Sequence, residues 1–173
     1  AEPGGAVLYR NMVHCVELAG GRVKGILWYQ GESDANRGPA ETYLERFGQA
    51  VDAWRRALGD ETLPVLTVQL NRHYAPTTPE MDRAWSIVRE AQRQAARRIP
   101  GVYVIPTCDL PLSDLIHTSP GGNMLLAERL AQAALGGVYG RPVEYRAPDL
   151  QVAQRAKRGR MVVLNKIDGL WDE

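Results

Sequence analysis

The chain has 173 residues, 45% of them hydrophobic and 24% charged, and its 21 basic side chains nearly balance 20 acidic ones, leaving a formal net charge of +1. That composition suits one ordinary globular domain and excludes both the charge-imbalanced signature of disorder and the basic excess of a nucleic-acid binder. No stretch approaches the ~18 consecutive apolar residues of a membrane-spanning helix, so neither a membrane nor a nucleic acid is expected as a partner.

The chain opens Ala1-Glu2-Pro3, without methionine or an apolar leader. Upstream sequence is therefore expected to be missing, which leaves a periplasmic or secreted location open for the full-length protein. Val23 to Tyr29 (V-K-G-I-L-W-Y) is a short apolar run closed by Gln30-Gly31, predicting a buried strand and a tight turn. From Pro39 to Leu58, Tyr43, Leu44, Phe47, Val51, Trp54 and Leu58 recur at spacings of three and four, which predicts an amphipathic helix stopped by Gly59. Leu63 to Leu70 reads as a second buried strand, Asn71 to Thr78 as a polar loop, and Met81, Trp85, Val88, Ala91 and Ala95 as the apolar stripe of another helix. A third strand, Gly101 to Pro106, leads into a loop over Thr107–Pro120, and helical spacing resumes from Asn123 to Leu135. Arg141 to Arg160 reads as irregular and basic, and Met161 to Leu164 as a lone strand. Alternating strand and helix argues for a parallel sheet with helices on its faces and ligands at the carboxyl ends of the strands.

Two stretches at such ends carry candidate chemistry. In Asp114-Leu115-Ile116-His117, a carboxylate three residues before a histidine can accept the imidazole N–H, fix its tautomer and stabilise the imidazolium formed when the other nitrogen takes a proton. D-x-x-H is common, however, and equally describes a loop aspartate and a surface histidine. In Trp28-Tyr29-Gln30-Gly31-Glu32-Ser33-Asp34, the glycine permits close backbone approach, the Gln30 amide can donate to a developing oxyanion, and Glu32 supplies a second carboxylate. The plain alternative is a strand-to-helix turn capped by Ser33 or Asp34. Ser33 also invites comparison with the nucleophile elbow G-x-S-x-G, but Ala35 replaces the second glycine that the crowded elbow requires. Cys15 and Cys108 stand in neither a C-x-x-C nor a zinc-ligand spacing, and are expected as two buried thiols. His14 and His73 have no second ligand at metal spacing, so neither a metal nor another cofactor is expected. Arg155, Lys157, Arg158 and Arg160 read as a solvated connector.

Taken together, K-G-I-L-W-Y-Q-G-E-S-D-A, the helix with Tyr43, Phe47 and Trp54-Arg55, L-P-V-L-T-V-Q-L, Arg89-Glu90-Ala91-Gln92, and D-L-I-H before A-E-R-L-A-Q-A-A-L with Tyr139-Gly140 resemble the sialate O-acetylesterase and acetylxylan esterase family of SGNH-type hydrolases. The resemblance runs from about Leu8 to Gly140. It implies an α/β fold, three-layer α/β/α with a mostly parallel sheet and present only in part, followed by the start of a β segment. It also implies a serine esterase that removes acetyl groups from sugars, with His117 as base, Asp114 as its partner, Glu32 as the alternative triad acid, and Gln30 and Gly31 at the oxyanion. Residues 1–145 would be the C-terminal part of the esterase domain, and 146–173 a basic connector and the start of a β module similar to that of sialate O-acetylesterases. Tyr29 and Tyr74 lie on segments able to line a sugar cleft, whereas Trp28 and Trp85 read as core.

The sequence also departs from the family. Its nucleophile motif, G-Q-S-N-like and upstream of W-Y-Q-G-E, is absent; Leu8-Tyr9-Arg10-Asn11-Met12 stands where L-Y-N-G-M is usual; and Thr118-Ser119-Pro120-Gly121-Gly122 is longer than the usual H-P turn. The leading expectation is thus a carbohydrate O-acetylesterase whose serine lies upstream, with an acetylated carbohydrate as partner. A non-catalytic carbohydrate-binding domain on the same scaffold and an acetylxylan esterase remain the alternatives. Three structural expectations follow: the two motifs share one edge of the sheet, His117 bonds Asp114 or Glu32, and an unpaired sheet edge or apolar surface is exposed where a missing strand would pack.

Overall fold

Val65-Leu66-Thr67-Val68 forms a strand with all four residues buried, because it has a neighbour on each side and helices on each face. The computed structural model, which describes residues 4–36, 39–147, 149–155 and 161–166, makes this strand β2, between β1 (Ile26–Trp28) and β3 (Val102–Ile105). Both pairings are parallel, with Ile26 opposite Val65 and Val65 opposite Val102. The helices are α1 (Gly4–Leu18), α2 (Glu32–Asn36), α3 (Tyr43–Leu58, after a 3-10 turn Ala40–Thr42), α4 (Pro79–Arg98) and α5 (Pro120–Ala133), the last running on as a π-helical turn, Ala134–Val138.

The alternation of side chains along the strands divides the interior in two. Val65 and Val102 face Val51, Trp54, Val88 and Ala95 of α3 and α4, with Tyr9 and Met12 of α1 packed against the same cluster. Leu66, Val68 and Ile105 face the other way, onto Leu110 and onto Leu126 and Ala133 of α5. The result is the expected three-layer α/β/α arrangement around a parallel sheet. The α3 face forms because Tyr43, Phe47, Val51 and Trp54 recur along one stripe, each buried, for roughly 1.5–3 kcal/mol per large apolar side chain. Phe47 meets Trp54 edge-on at 6.4 Å, and Trp54 in turn packs on Trp28 of β1 at 4.8 Å between ring centroids. Gly59 ends the helix at φ +66°, donating its N–H to the last carbonyls. In α4, the Thr78 hydroxyl accepts from Met81 N–H and Pro79 occupies the first turn; Glu80 and Asp82 lie at its start and Arg97 and Arg98 at its end, as the helix dipole favours.

Several expectations are corrected. The strand expected over Val23–Tyr29 is shorter and is an edge strand: Ile26 and Trp28 are half-buried against α3, but Leu27 points to the α5 side, which α5 leaves uncovered there, and is 67% exposed. Both cysteines are exposed rather than buried; Cys15 lies six residues beyond the core-facing Tyr9, about 120° around the helix from it, and Cys108 follows Thr107 on the turn after β3. Helix α1 was not announced by its periodicity. The stretch read as irregular contains β4 (Asp149–Arg155), which pairs antiparallel with β5 (Met161–Lys166) through a register shift between Leu150 and Val152, so the strand expected to be alone has its partner just upstream. Lys157, Arg158 and Arg160 lie outside the described residues.

Candidate active site

The loop after β3 is built around one aspartate. Asp114 Oδ1 accepts the backbone N–H groups of Ile116 and His117, each at 2.8 Å, and the turn closes where Ser113 N–H donates to the His117 carbonyl at 2.8 Å. That geometry folds the side chain of His117 back onto the same carboxylate, with Nδ1 2.7 Å from Asp114 Oδ2. The His117 and Ile116 N–H groups, followed by the imidazole, hold the Asp114 carboxyl down to a pKa of about 2. An ionised Asp114 only accepts, so Nδ1 carries the proton and donates, leaving the Nε2 lone pair free. Both side chains are open to solvent, His117 at 71% and Asp114 at 52%.

The loop after β2 holds this turn in place. Tyr74 N–H donates to the Leu115 carbonyl at 2.8 Å, Asn71 Nδ2 to Thr118 Oγ1 at 3.0 Å, and an Arg72 guanidinium nitrogen to the Leu110 carbonyl at 2.8 Å. Asn71 is itself buried and gives its carbonyl to the Trp85 indole at 3.0 Å. Thr118-Ser119-Pro120 proves to be the capped start of α5, where the Ser119 hydroxyl accepts Gly122 N–H at 3.1 Å. His117 therefore sits just before a fixed helix N-terminus.

The second stretch lies at the same carboxyl edge, directly after β1. The Gln30 carbonyl accepts from Tyr43 Oη at 3.0 Å and Gln92 Nε2 at 2.9 Å. Gly31 is buried with φ +153°, and a Cβ there would lie 2.9 Å from Gln92 Nε2 and 3.1 Å from Leu70 and Val88 methyls, so only glycine fits. The Gln30 side chain engages α2: Nε2 donates to Asp34 Oδ2 at 2.5 Å, and the other oxygen of Asp34 takes Arg46. Ser33 and Asp34 lie inside α2 rather than at its cap, and Glu32 opens that helix, exposed.

The structure thus brings Asp114 and His117 into contact and sets Gln30, Gly31 and Glu32 at the same edge, with no hydrogen bond from Glu32 to His117. Tyr74, at 60% exposure, stands beside the histidine turn with the Arg72 guanidinium 5.5 Å from its ring centre, while Tyr29 follows β1 and is also exposed. Trp28 and Trp85 are half-buried, and the His73 ring packs on Trp85 at 4.7 Å. Among the described residues, no three His, Cys, Asp or Glu side chains converge as a metal-ligand set. The sequence reading missed Asn71 and the positions of Gln92 and Tyr43; the available signal was a polar glutamine within the apolar stripe Trp85, Val88, Ala95 of α4.

A profile of the family described as carbohydrate esterase, sialic acid-specific acetylesterase, matches residues 2–136. A probable carbohydrate esterase of Arabidopsis thaliana is 33% identical over 136 residues, 76% of this chain and 48% of that protein. The fold is similar to the crystal structure of a carbohydrate acetylesterase from Xanthomonas citri, with a TM-score of 0.72 and 32% identity over 86% of this chain and 33% of that one. It is also similar to the X-ray structure of the Arabidopsis protein, with a TM-score of 0.65 and 31% identity over 76% and 53% of the respective chains. The chain spans about half the length of the curated relative it matches.

Proposed function

The chain belongs to the sialic acid-specific acetylesterase family of carbohydrate esterases, and from that premise we propose that it forms the histidine-bearing part of an enzyme that hydrolyses O-acetyl esters on a carbohydrate, sialic acid foremost. A serine upstream of Ala1 attacks the acetyl carbonyl, and His117 Nε2 takes its proton. The imidazolium so formed is stabilised through Nδ1–H by Asp114. His117 then passes the proton to the departing sugar oxygen, and water, activated by the same nitrogen, releases acetate from the acyl-serine. The observation that carries this reading is the Asp114–His117 pair, 2.7 Å apart with the carboxylate fixed by two backbone N–H groups. The orienting role is assigned to Asp114 rather than Glu32 because Asp114 already occupies Nδ1.

The oxyanion is assigned to the Gly31 N–H and to the amide hydrogen of Gln30 that Asp34 does not engage. Support for an upstream strand comes from β1: among the described residues its outer edge has no partner strand, and Leu27 is exposed on the face α5 does not reach. Residues 1–145 are assigned to the esterase domain and 146–173 to a connector and the beginning of a β module. The test is kinetic. In the serine-bearing full-length protein, His117→Ala is expected to lower kcat for an acetyl ester by about 10⁴-fold or more; near-wild-type turnover would remove His117 from the mechanism.

A further inference from the structure

Beyond Trp28 and Thr67 the β1–β2 ladder stops, and the two chains are joined instead by a side chain from α4. Gln92 is 1% exposed. Its Oε1 accepts the Leu70 N–H at 2.8 Å, while its Nε2 donates to the Gln30 carbonyl at 2.9 Å and lies 3.3 Å from the Tyr43 hydroxyl. The side-chain amide therefore takes the place of a peptide unit between the separating strands, giving Leu70 N–H and Gln30 C=O the partners that the ladder no longer supplies. Tyr43, from α3, donates to the same Gln30 oxygen at 3.0 Å, filling its second lone pair. Burial pushes the Tyr43 phenol above its ordinary pKa, so it remains a protonated donor.

The consequence falls on the next atom along the backbone. None of the described peptide bonds is cis, so the C=O of Gln30 and the N–H of Gly31 point in opposite directions from one planar unit. Two donors fix the oxygen toward Gln92 and Tyr43 and thereby set the hydrogen on the opposite side of the peptide, away from them. No described residue accepts from that N–H. The absence of a Cβ at Gly31 is what lets the Gln92 amide come close enough to do this.

We propose that Gln92 and Tyr43 are positioning residues for the esterase reaction, holding the Gln30–Gly31 peptide so that the Gly31 N–H is preset toward the developing oxyanion. The inference rests on the esterase reading for its chemistry, although the clamp itself rests on the contacts above. An interaction of this kind is realised in the transition state, so its loss falls on kcat rather than KM.

The test compares Tyr43→Phe, Gln92→Met and a surface control, Gln94→Met, in the serine-bearing full-length protein with an aryl acetate. Tyr43→Phe, which removes one of the two donors and little volume, is expected to lower kcat about 3–10-fold. Gln92→Met is expected to lower it about 10–100-fold, short of the 10²–10³ of a deleted oxyanion donor. KM should stay within about twofold in both, and Gln94→Met should match the wild type. Unchanged kcat in folded Tyr43→Phe, or a loss carried by KM alone, would overturn the proposal, and Tyr43→Phe decides if Gln92→Met does not fold. If the wild-type protein hydrolyses no acetyl ester, the esterase reading fails, and the clamp is then judged by NMR on this chain. Tyr43→Phe should shift the Gly31 amide resonance while leaving that of Leu70 in place; an unmoved Gly31 resonance would overturn it.

Discussion

Replacing Gly31 by alanine tests whether the turn after β1 is held as tightly as its contacts imply. Two costs combine there. The backbone sits at φ +153°, which an L side chain rarely adopts, and the new Cβ would lie 2.9 Å from Gln92 Nε2 and 3.1 Å from methyls of Leu70 and Val88. Residues held in such sparsely populated conformations cost about 1–3 kcal/mol, and overpacking a well-filled core adds a similar amount, so the expected loss is about 2–6 kcal/mol. Those neighbours cannot readily give way, since Gln92 and Leu70 are bonded to each other and Val88 is fully buried. Gly59→Ala provides the internal standard: its φ is +66° but nothing lies within 4 Å of the added methyl, so only the left-handed backbone is charged, at about 1–2 kcal/mol. Urea unfolding followed by circular dichroism reads both. With a slope near 2 kcal/mol/M, Gly31→Ala should lower the midpoint by about 1–3 M and Gly59→Ala by less than about 1 M. If Gly31→Ala is no more destabilising than Gly59→Ala, the crowding between Gln92 and the turn is not real and the clamp argument loses its footing.

Three further outcomes follow from the same contacts. The Asp114 carboxyl, held near 2 by backbone N–H groups, is depressed below its unfolded value of 3.8; its contribution to the turn is therefore complete above about pH 4 and lost as pH falls through 2, so its ¹³Cγ shift and the Ile116 and His117 amide shifts should titrate together with a midpoint near 2, and a midpoint near 3.8 would contradict the turn geometry. Both Cys15 and Cys108 are exposed, so both thiols should react with an aromatic disulfide reagent in native buffer; two thiols that react only after denaturation would restore the buried expectation. Tyr74→Ala in the full-length protein should raise KM for an acetylated sugar about 2–10-fold while leaving that for a small aryl acetate unchanged, and equal effects on both would show that the ring does not meet the sugar.

Much of this was legible in the sequence, for reasons that can be traced. The strand 65–68 and helix α3 are visible because burial on both faces leaves a run apolar but for Thr67 in one and burial on one stripe leaves a three-and-four spacing in the other. Asp114 and His117 could be paired from sequence because their contact is local, closed within a four-residue turn. Contacts that span the fold were not readable. Nothing in V-K-G-I-L-W-Y says that its central leucine has no helix above it, and nothing in Cys15 says which way α1 is turned. One hydrogen of the Gln30 amide is committed to Asp34, a carboxylate that also takes Arg46 of α3. The Gln92 clamp joins four segments distant in sequence, and its only trace in one dimension is a polar residue on an apolar stripe.

The central claim is that this chain supplies the histidine and its aspartate to a serine that lies outside it, and acyl-enzyme mapping tests that most directly. The full-length protein would be mixed with an activated acetyl ester, quenched in acid within the first turnover, digested, and searched by mass spectrometry for the acetylated residue. The account predicts one acetyl group on a serine upstream of Ala1, accumulating to a lesser extent in His117→Ala, and none within residues 1–173. Acetylation of Ser33 would contradict it and place the nucleophile on α2.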